Sequence, residues 1–366
     1  MAENSNHHYV PQYYFRQFTA GEAHICAFLK KNGKVITHAP IKGQCSRKMF
    51  YGSAEIEINI SQLEGKHSES LRHLIATAET SDLTKWSDNH YFWLLQAVVF
   101  QHARTLLQVE KTSPANCKLV THIFKEHLKT KFNDEQMVKM HCRIDSGRIL
   151  ITENPTKVLF NQIKSALDCA SLLCDLHVRL LINNTDYPFI FGDSPVVYYN
   201  TYYHSVKNRG VLGLQCPGLQ IFYPLTSNIQ LMLYDKNVYT GPFLTSPCYD
   251  LFLRSDVSEL NALQLHHSRD AVYFKDAQDS AYVSDLHMIH SKYIKKPKSV
   301  FKVNTGWLFD GKVADGDLLH MFEEQVNHRL LLSFVHCDPV DPKTYKFRYR
   351  SPEIASSHKE LHGDSE

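Results

Sequence analysis

The run Ser87-Asp88-Asn89-His90-Tyr91-Phe92-Trp93-Leu94-Leu95-Gln96-Ala97-Val98-Val99-Phe100-Gln101-His102-Ala103-Arg104 decides how the chain is read. Ser87 or Asp88 supplies an N-cap, and the middle of the run is apolar on every side of a helix. A surface helix carries a single apolar stripe, whereas one that is apolar all round is buried at the centre of a bundle. The spacing predicts one buried helix over residues 87–109, with Pro114 ending the segment.

Polar residues interrupt this helix along one line. With His90 as the origin, Gln101 falls at about +20° and Arg104 at about −40°, at 100° per residue. A narrow stripe of His90, Gln101 and Arg104 therefore runs through apolar surroundings. Burying an arginine without a partner is strongly unfavourable, so Arg104 must face a carboxylate such as Glu64, a carbonyl cluster or an anionic ligand. A structural salt bridge and an anion-binding arginine at the floor of a cleft both meet that demand.

Working outward, Pro11 sits where a short helix starts, with Tyr13, Tyr14 and Phe18 on a helical period. Asn32-Gly33 between the β-prone arms 24–31 and 34–38 predicts a hairpin, because both turn residues tolerate positive φ. Residues 61–139 read as helical, with amphipathic pieces at 117–131 and 133–142, and a further helix is expected over 155–176. β-prone runs follow at 178–183, 189–191, 196–200, 219–224 and 229–234, joined by short connections that favour antiparallel pairing. Helices are expected at 257–272 and 280–293, then a solvated lysine loop at 292–298 and a frayed tail beyond Pro352. Helices first and strands later indicate an α+β fold. The predicted organisation is an N-terminal helix and β-hairpin (1–60), a helical body (61–177) and an antiparallel β-rich portion with C-terminal helices (178–366), forming one integrated domain.

Composition narrows the function classes. With 366 residues, 43% of them hydrophobic and 21% charged, the chain builds a sizeable core, which excludes a disordered protein. Forty basic against 38 acidic residues give a net charge of +2, which excludes a scaffold that grips nucleic acid by net charge alone. The nine cysteines show no CxxC pair, so neither a disulfide scaffold nor a structural zinc site of closely spaced ligands is expected. His287 and His290 have a metal-like spacing but no third ligand nearby in sequence, and read as surface histidines. Residues 1–8 lack the apolar stretch of a signal peptide, and 169–182 is broken by Asp175, His177 and Arg179. A cytoplasmic protein without a membrane partner is expected. No Walker loop, GxGxxG or GxSxG occurs.

Three sites carry polar groups suited to chemistry. Gln12 and Arg16 share a helical face, with His8 just before its positive end, a place that suits an anion; an N-terminal plug of packed aromatics fits the same residues. Asp193, after Phe189-Ile190-Phe191 and before Pro195, suits a metal ligand or general base, and equally an Asx-type turn. Asn261 reads as ordinary helix surface by its spacing alone.

His8-Tyr9-Val10-Pro11-Gln12, with Tyr13, Arg16 and Phe18, closely resembles the opening motif of a large prokaryotic family, domain of unknown function 4238. The resemblance continues through Leu63-Glu64, Arg104-Thr105, Gly192-Asp193-Ser194-Pro195-Val196, Pro224-Leu225-Thr226, and Asn261 with Arg269. Gly192 and Ser194 depart from the Ser and Asn usual around the aspartate. The family name confers no activity; the resemblance carries an expectation of a role in defence or toxin-like modules. Together with the polar stripe, it suggests a cleft of His8, Gln12, Glu64, Arg104, Asp193 and Asn261. In this reading the protein is a hydrolase, a nuclease or nucleotide-cleaving enzyme. His8 is its general acid or base, Glu64 and Asp193 hold a divalent ion (Mg²⁺ or Mn²⁺), and Arg104 steadies phosphate charge. The alternative is a non-catalytic sensor that holds a nucleotide in the same cleft.

Overall fold

The computed structural model describes residues 6–353 and 355–356, apart from 20–21, 81–85, 297, 307, 310–311, 314–316 and 347. The chain opens with strand β1 (Asn6–His8) and helix α1 (Gln12–Phe18), which starts after the extended Pro11 as its sequence predicts. Strands β2 (His24–Leu29) and β3 (Lys34–Pro40) form the expected hairpin, turned by Gly33 at φ +68°, and β4 (Ser46–Lys48) pairs with β1.

The helical body follows: α2 (Ala54–Thr80), α3 (Asp88–Ala103), α4 (Leu106–Lys129), α5 (Asp134–Asp145) and α6 (Pro155–Asp168). The helix expected over residues 87–109 is two helices. Arg104 ends α3 at ψ −2°, and Thr105 swings to ψ 154° and caps α4 by accepting the Gln108 N–H at 3.4 Å. Pro114, expected as a terminator, lies inside α4, where its missing N–H costs one bond to the Glu110 carbonyl. The helix read to residue 176 stops at Asp168 and passes into a 3₁₀ turn, Ala170–Leu173.

Strands β5 (His177–Asn183), β6 (Phe191–Gly192), β7 (Val197–Tyr199), β8 (Gln220–Pro224), β9 (Ile229–Tyr234) and β10 (Cys248–Leu251) make up the β-rich portion. After α7 (Arg254–His267) the residues read as helix to 272 become strand β11 (Ala271–Phe274). Helix α8 (Ser280–His290) precedes β12 (Ser299–Asn304), β13 (Leu308–Phe309), β14 (Lys312–Val313) and β15 (Leu318–Glu323). Helices and largely antiparallel sheets together give the α+β fold. The lysine loop around Pro297 and the tail beyond Pro352 fall partly outside the described residues. Arg350 is buried in a two-pronged pair with Asp175 at 2.7 and 2.8 Å.

Two sheets frame the core. One runs β10-β5-β9-β8-β7, antiparallel except for β10, which pairs parallel with β5. The other runs β3-β2-β11-β6, so the N-terminal hairpin is completed by strands from far along the chain. Alternation gives strands β8 and β9 two buried faces: Ile221, Tyr223, Leu231 and Leu233 join one core, and Phe222, Met232 and Tyr234 another shared with α7. Helix α1 wedges between the sheets: the Tyr14 hydroxyl donates to the Pro224 carbonyl at 2.5 Å, and Phe15 and Phe18 pack on Phe191 at 5.2 and 4.4 Å. The apolar α3 is buried from Leu94 onward, whereas Phe92 in its first half is exposed, so the burial expected all round the helix holds only for its C-terminal part. Leu94, Leu95, Val98 and Val99 face the core shared with the first sheet, and Phe100 and Ala103 pack in a separate cluster with Tyr51, Ile60, Leu159 and Ile163. Among the described residues no helix is long and apolar enough to cross a membrane.

Candidate functional site

Arg104 is fully buried at the break between α3 and α4. Its Nη1 meets Glu64 Oε1 at 2.5 Å, its Nε donates to Gln101 Oε1 at 3.1 Å, and its guanidinium lies 4.6 Å from the centre of the Phe100 ring. Gln101 Nε2 donates to the Tyr9 carbonyl at 3.0 Å, which ties the polar stripe to the N-terminal segment. Among the described residues, Nη2 of Arg104 is buried with no hydrogen-bond partner. His90 does not join this group; it closes the capping box with Ser87 and packs against His73, ring centres 4.0 Å apart.

His8 lies within the field of this pair. Burial lowers its pKa; its bond to the Lys42 carbonyl at 3.1 Å and the Glu64 charge oppose that, and Arg104 adds to it. The Tyr51 hydroxyl donates to the His8 carbonyl at 2.9 Å and stands beside the guanidinium. Gln12 occupies the first turn of α1 on the face it shares with Arg16, whose Nη2 donates to Gln12 Oε1 at 3.1 Å.

Glu57 belongs to the same group and escaped the sequence reading. It sits seven residues before Glu64 on α2, about 20° from it around the helix, a spacing that was visible in the sequence. Burial, and then repulsion from Glu64, push its pKa up to about 7 against the pull of Arg104. Its Oε2 is buried without a hydrogen bond, 3.8 Å from His7 Nδ1. That nitrogen accepts the Tyr51 N–H at 3.1 Å, and burial lowers the pKa of the ring, so His7 is neutral and does not neutralise Glu57. Tyr51 and Phe100 also line an adjoining apolar cavity of 170 Å³ with Ile60, Leu63 and Leu159.

Asp193 and Asn261 stand in other surroundings. Asp193 accepts the backbone N–H groups of Arg269 (2.7 Å), Asp270 (2.6 Å) and Ala271 (3.2 Å); these lie far along the chain, so the carboxylate pins a distant segment and does not form the local Asx-type turn expected of it. Asn261 is fully buried rather than on the helix surface; it accepts the Ile190 N–H at 3.0 Å and donates to the Pro188 carbonyl and the Tyr282 hydroxyl, both at 2.8 Å. The structure thus pairs Glu64 with Arg104 and places His8 within reach of their charges, while the hydrogen bonds of Asp193 and Asn261 go to the chain around β6 and β11. Among the described residues, neither Glu64 nor Asp193 belongs to a group of three or more ligand-type side chains close enough to share an ion.

A second buried polar layer had no signal in the sequence, because its members are far apart in the chain. Lys111 on α4 is ion-paired with Glu323 on β15. His102 Nε2 lies 3.4 Å and His267 Nε2 3.9 Å from the same carboxylate. Burial opposes the Glu323 charge, but Lys111 and the two histidines outweigh it and hold the carboxyl well below its usual range. His102 and His267 are oriented from behind by the Val196 and Ser194 carbonyls, each at 3.1 Å.

A family profile described as Protein of unknown function (DUF4238) matches residues 6–278, three quarters of the chain. The chain belongs to this family. The DUF4238 span takes in β1 through β11 and with them His8, Glu57, Glu64 and Arg104, but not α8, β15 or Glu323. No curated protein and no solved structure matches the chain.

Proposed function

We propose that this DUF4238 protein is a hydrolase of a phosphate-containing substrate, a nucleotide or nucleic acid, acting at the Arg104 site. The observation that carries the reading is the unpartnered Nη2 of a fully buried arginine, set beside a carboxyl group whose pKa is raised to about 7. An arginine so placed answers a planar oxyanion better than a solvated lysine does. Glu64 is partly exposed, so an incoming phosphate displaces it from Arg104 rather than breaking into a closed core. Near neutral pH the lowered His8 is a free base and the raised Glu57 is partly protonated, the two forms that acid–base catalysis needs. The 170 Å³ apolar cavity beside Phe100 is the place for a nucleobase.

The test is incubation of the protein with RNA, single-stranded DNA, duplex DNA and nucleoside triphosphates. Mg²⁺, Mn²⁺ and chelator arms examine the divalent ion expected at Glu64. Cleavage lost in His8→Ala and Glu57→Gln supports the reading; intact substrates in every arm overturn it.

A second reading, a non-catalytic nucleotide sensor, is favoured by the Arg104–Glu64 pair itself. An anion that replaces Glu64 releases α2 from α3, which is a conformational signal without chemistry. Nucleotide binding without turnover selects it. A defence or toxin-like setting is part of the proposal on the family resemblance alone.

A further inference from the structure

On the far side of α7 from the first sheet's centre, three histidines from three parts of the chain meet: His266 at the end of α7, His290 at the end of α8, and His328 in the segment after β15. One nitrogen from each lies within 4.8 Å of those of the other two. We propose that these three imidazoles form a binding site for a tetrahedral transition-metal ion, Zn²⁺ by ligand chemistry, separate from the Arg104 site.

The geometry fits. His266 Nε2 and His290 Nδ1 are 3.3 Å apart, and two nitrogens each about 2.0–2.1 Å from a tetrahedral zinc stand about 3.4 Å from one another. The His328 ring stacks on His266 and meets His290 edge-on, both at 5.1 Å between centres. A metal ion binds imidazole through the lone pair of its neutral ring. His266 is 1% exposed, and its Nδ1 has no hydrogen-bond partner. Glu259 Oε2 accepts from His328 Nε2 at 3.0 Å and from the Leu331 N–H at 3.1 Å, the carboxylate–histidine pairing that orients a ligand ring in metal sites. Lys30, the neighbouring cation, donates to the Leu265 carbonyl at 2.7 Å and to that of Ser268.

Imidazole ligands select Zn²⁺ over Mg²⁺ or Mn²⁺, which prefer oxygen. Bound there, the ion fastens the segment carrying His328 to the two helices, and the partly buried His290 and His328 leave its fourth position open to water. His266 lies within the residues matched by the family profile, and His290 and His328 lie beyond them.

The experiment is titration of untagged, metal-stripped protein with ZnCl₂ by calorimetry, after exposed thiols have been capped to silence cysteine binding. The Co²⁺-substituted visible spectrum is recorded in parallel. One ion per chain and the bands of tetrahedral nitrogen-bound Co²⁺ are expected. His290→Gln and His328→Asn should lose the ion at concentrations that saturate the parent, and Glu259→Gln should weaken it by about 10–100-fold. No uptake by the parent protein overturns the proposal, as does unchanged uptake in both ligand variants. Should either variant fail to fold, X-ray absorption of the zinc-loaded parent decides: a nitrogen shell at about 2.0–2.1 Å supports the site, and a sulfur-dominated shell overturns it. Because the readout is metal binding, its outcome is independent of whether the Arg104 site cleaves phosphate.

Discussion

Asp193 Oδ1 accepts the backbone N–H of Arg269 at 2.7 Å, so a carboxylate just past β6 holds the chain where α7 turns into β11. Its other oxygen takes the next two N–H groups, of Asp270 and Ala271. Asp193→Ala leaves three amides without this acceptor, at about 1–3 kcal/mol for each one that water cannot reach. We expect a loss of about 3–5 kcal/mol in urea unfolding, with Asp193→Asn less damaging because it keeps one acceptor oxygen. A loss below about 1 kcal/mol for Asp193→Ala would contradict this structural role.

The Arg104–Glu64 pair is unequally buried, with 0% and 21% of the side chains exposed, and its two halves should respond differently. Glu64→Gln leaves an uncompensated charge in the interior and is expected to cost about 3–5 kcal/mol. Arg104→Met leaves a carboxylate that can turn toward water, and should cost less. The double variant should recover part of the Glu64→Gln loss. A double-mutant cycle by chemical denaturation measures this, and additive losses would remove the coupling.

Glu57 sets a pH dependence. Its carboxyl is raised from an ordinary 4.5 to about 7 by burial. The folded state therefore holds the proton more tightly than the unfolded one, and stability falls as pH rises through that window. Relative to Glu57→Gln, the parent protein should lose about 1–3 kcal/mol between about pH 4 and pH 8, levelling off above that window. Thermal melts of both proteins across this range check the sign; parallel curves would show that Glu57 is not perturbed.

Gly192 stands where the family resemblance leads one to expect serine. A Cβ there would lie 2.8 Å from Ser268 Cβ and 3.1 Å from the Gln264 carbonyl oxygen. Gly192→Ser is expected to destabilise by about 1–3 kcal/mol, and Ser268→Gly should relieve part of it by removing the closer contact. Melting temperatures of the single and double variants decide; a neutral Gly192→Ser would show that the α7 end shifts freely.

Local pattern was enough to determine the burial of the C-terminal half of α3, the Asn32–Gly33 hairpin, the succession from a helical body to a strand-rich portion, and the α+β class, because each rests on periodicity or turn chemistry within a few residues. The pattern also marked Arg104 as an arginine in need of a counter-charge, and Glu64 as a candidate for it. The break at Arg104–Thr105 was not legible: both residues continue a helical pattern, and the turn is held by Glu64, Gln101 and the Thr105–Ser194 hydroxyl contact at 3.1 Å. Residues 271–272 read as a helix end because the strand partner of β11, β2, lies far back in the chain. Glu57, the Lys111–Glu323 layer and the three-histidine cluster are groupings of side chains across distant elements. Sequence determined most of the apolar faces that had to be buried; only the tertiary structure decided which polar groups, Asn261 among them, would share that interior, because their contacts follow from packing and not from local periodicity.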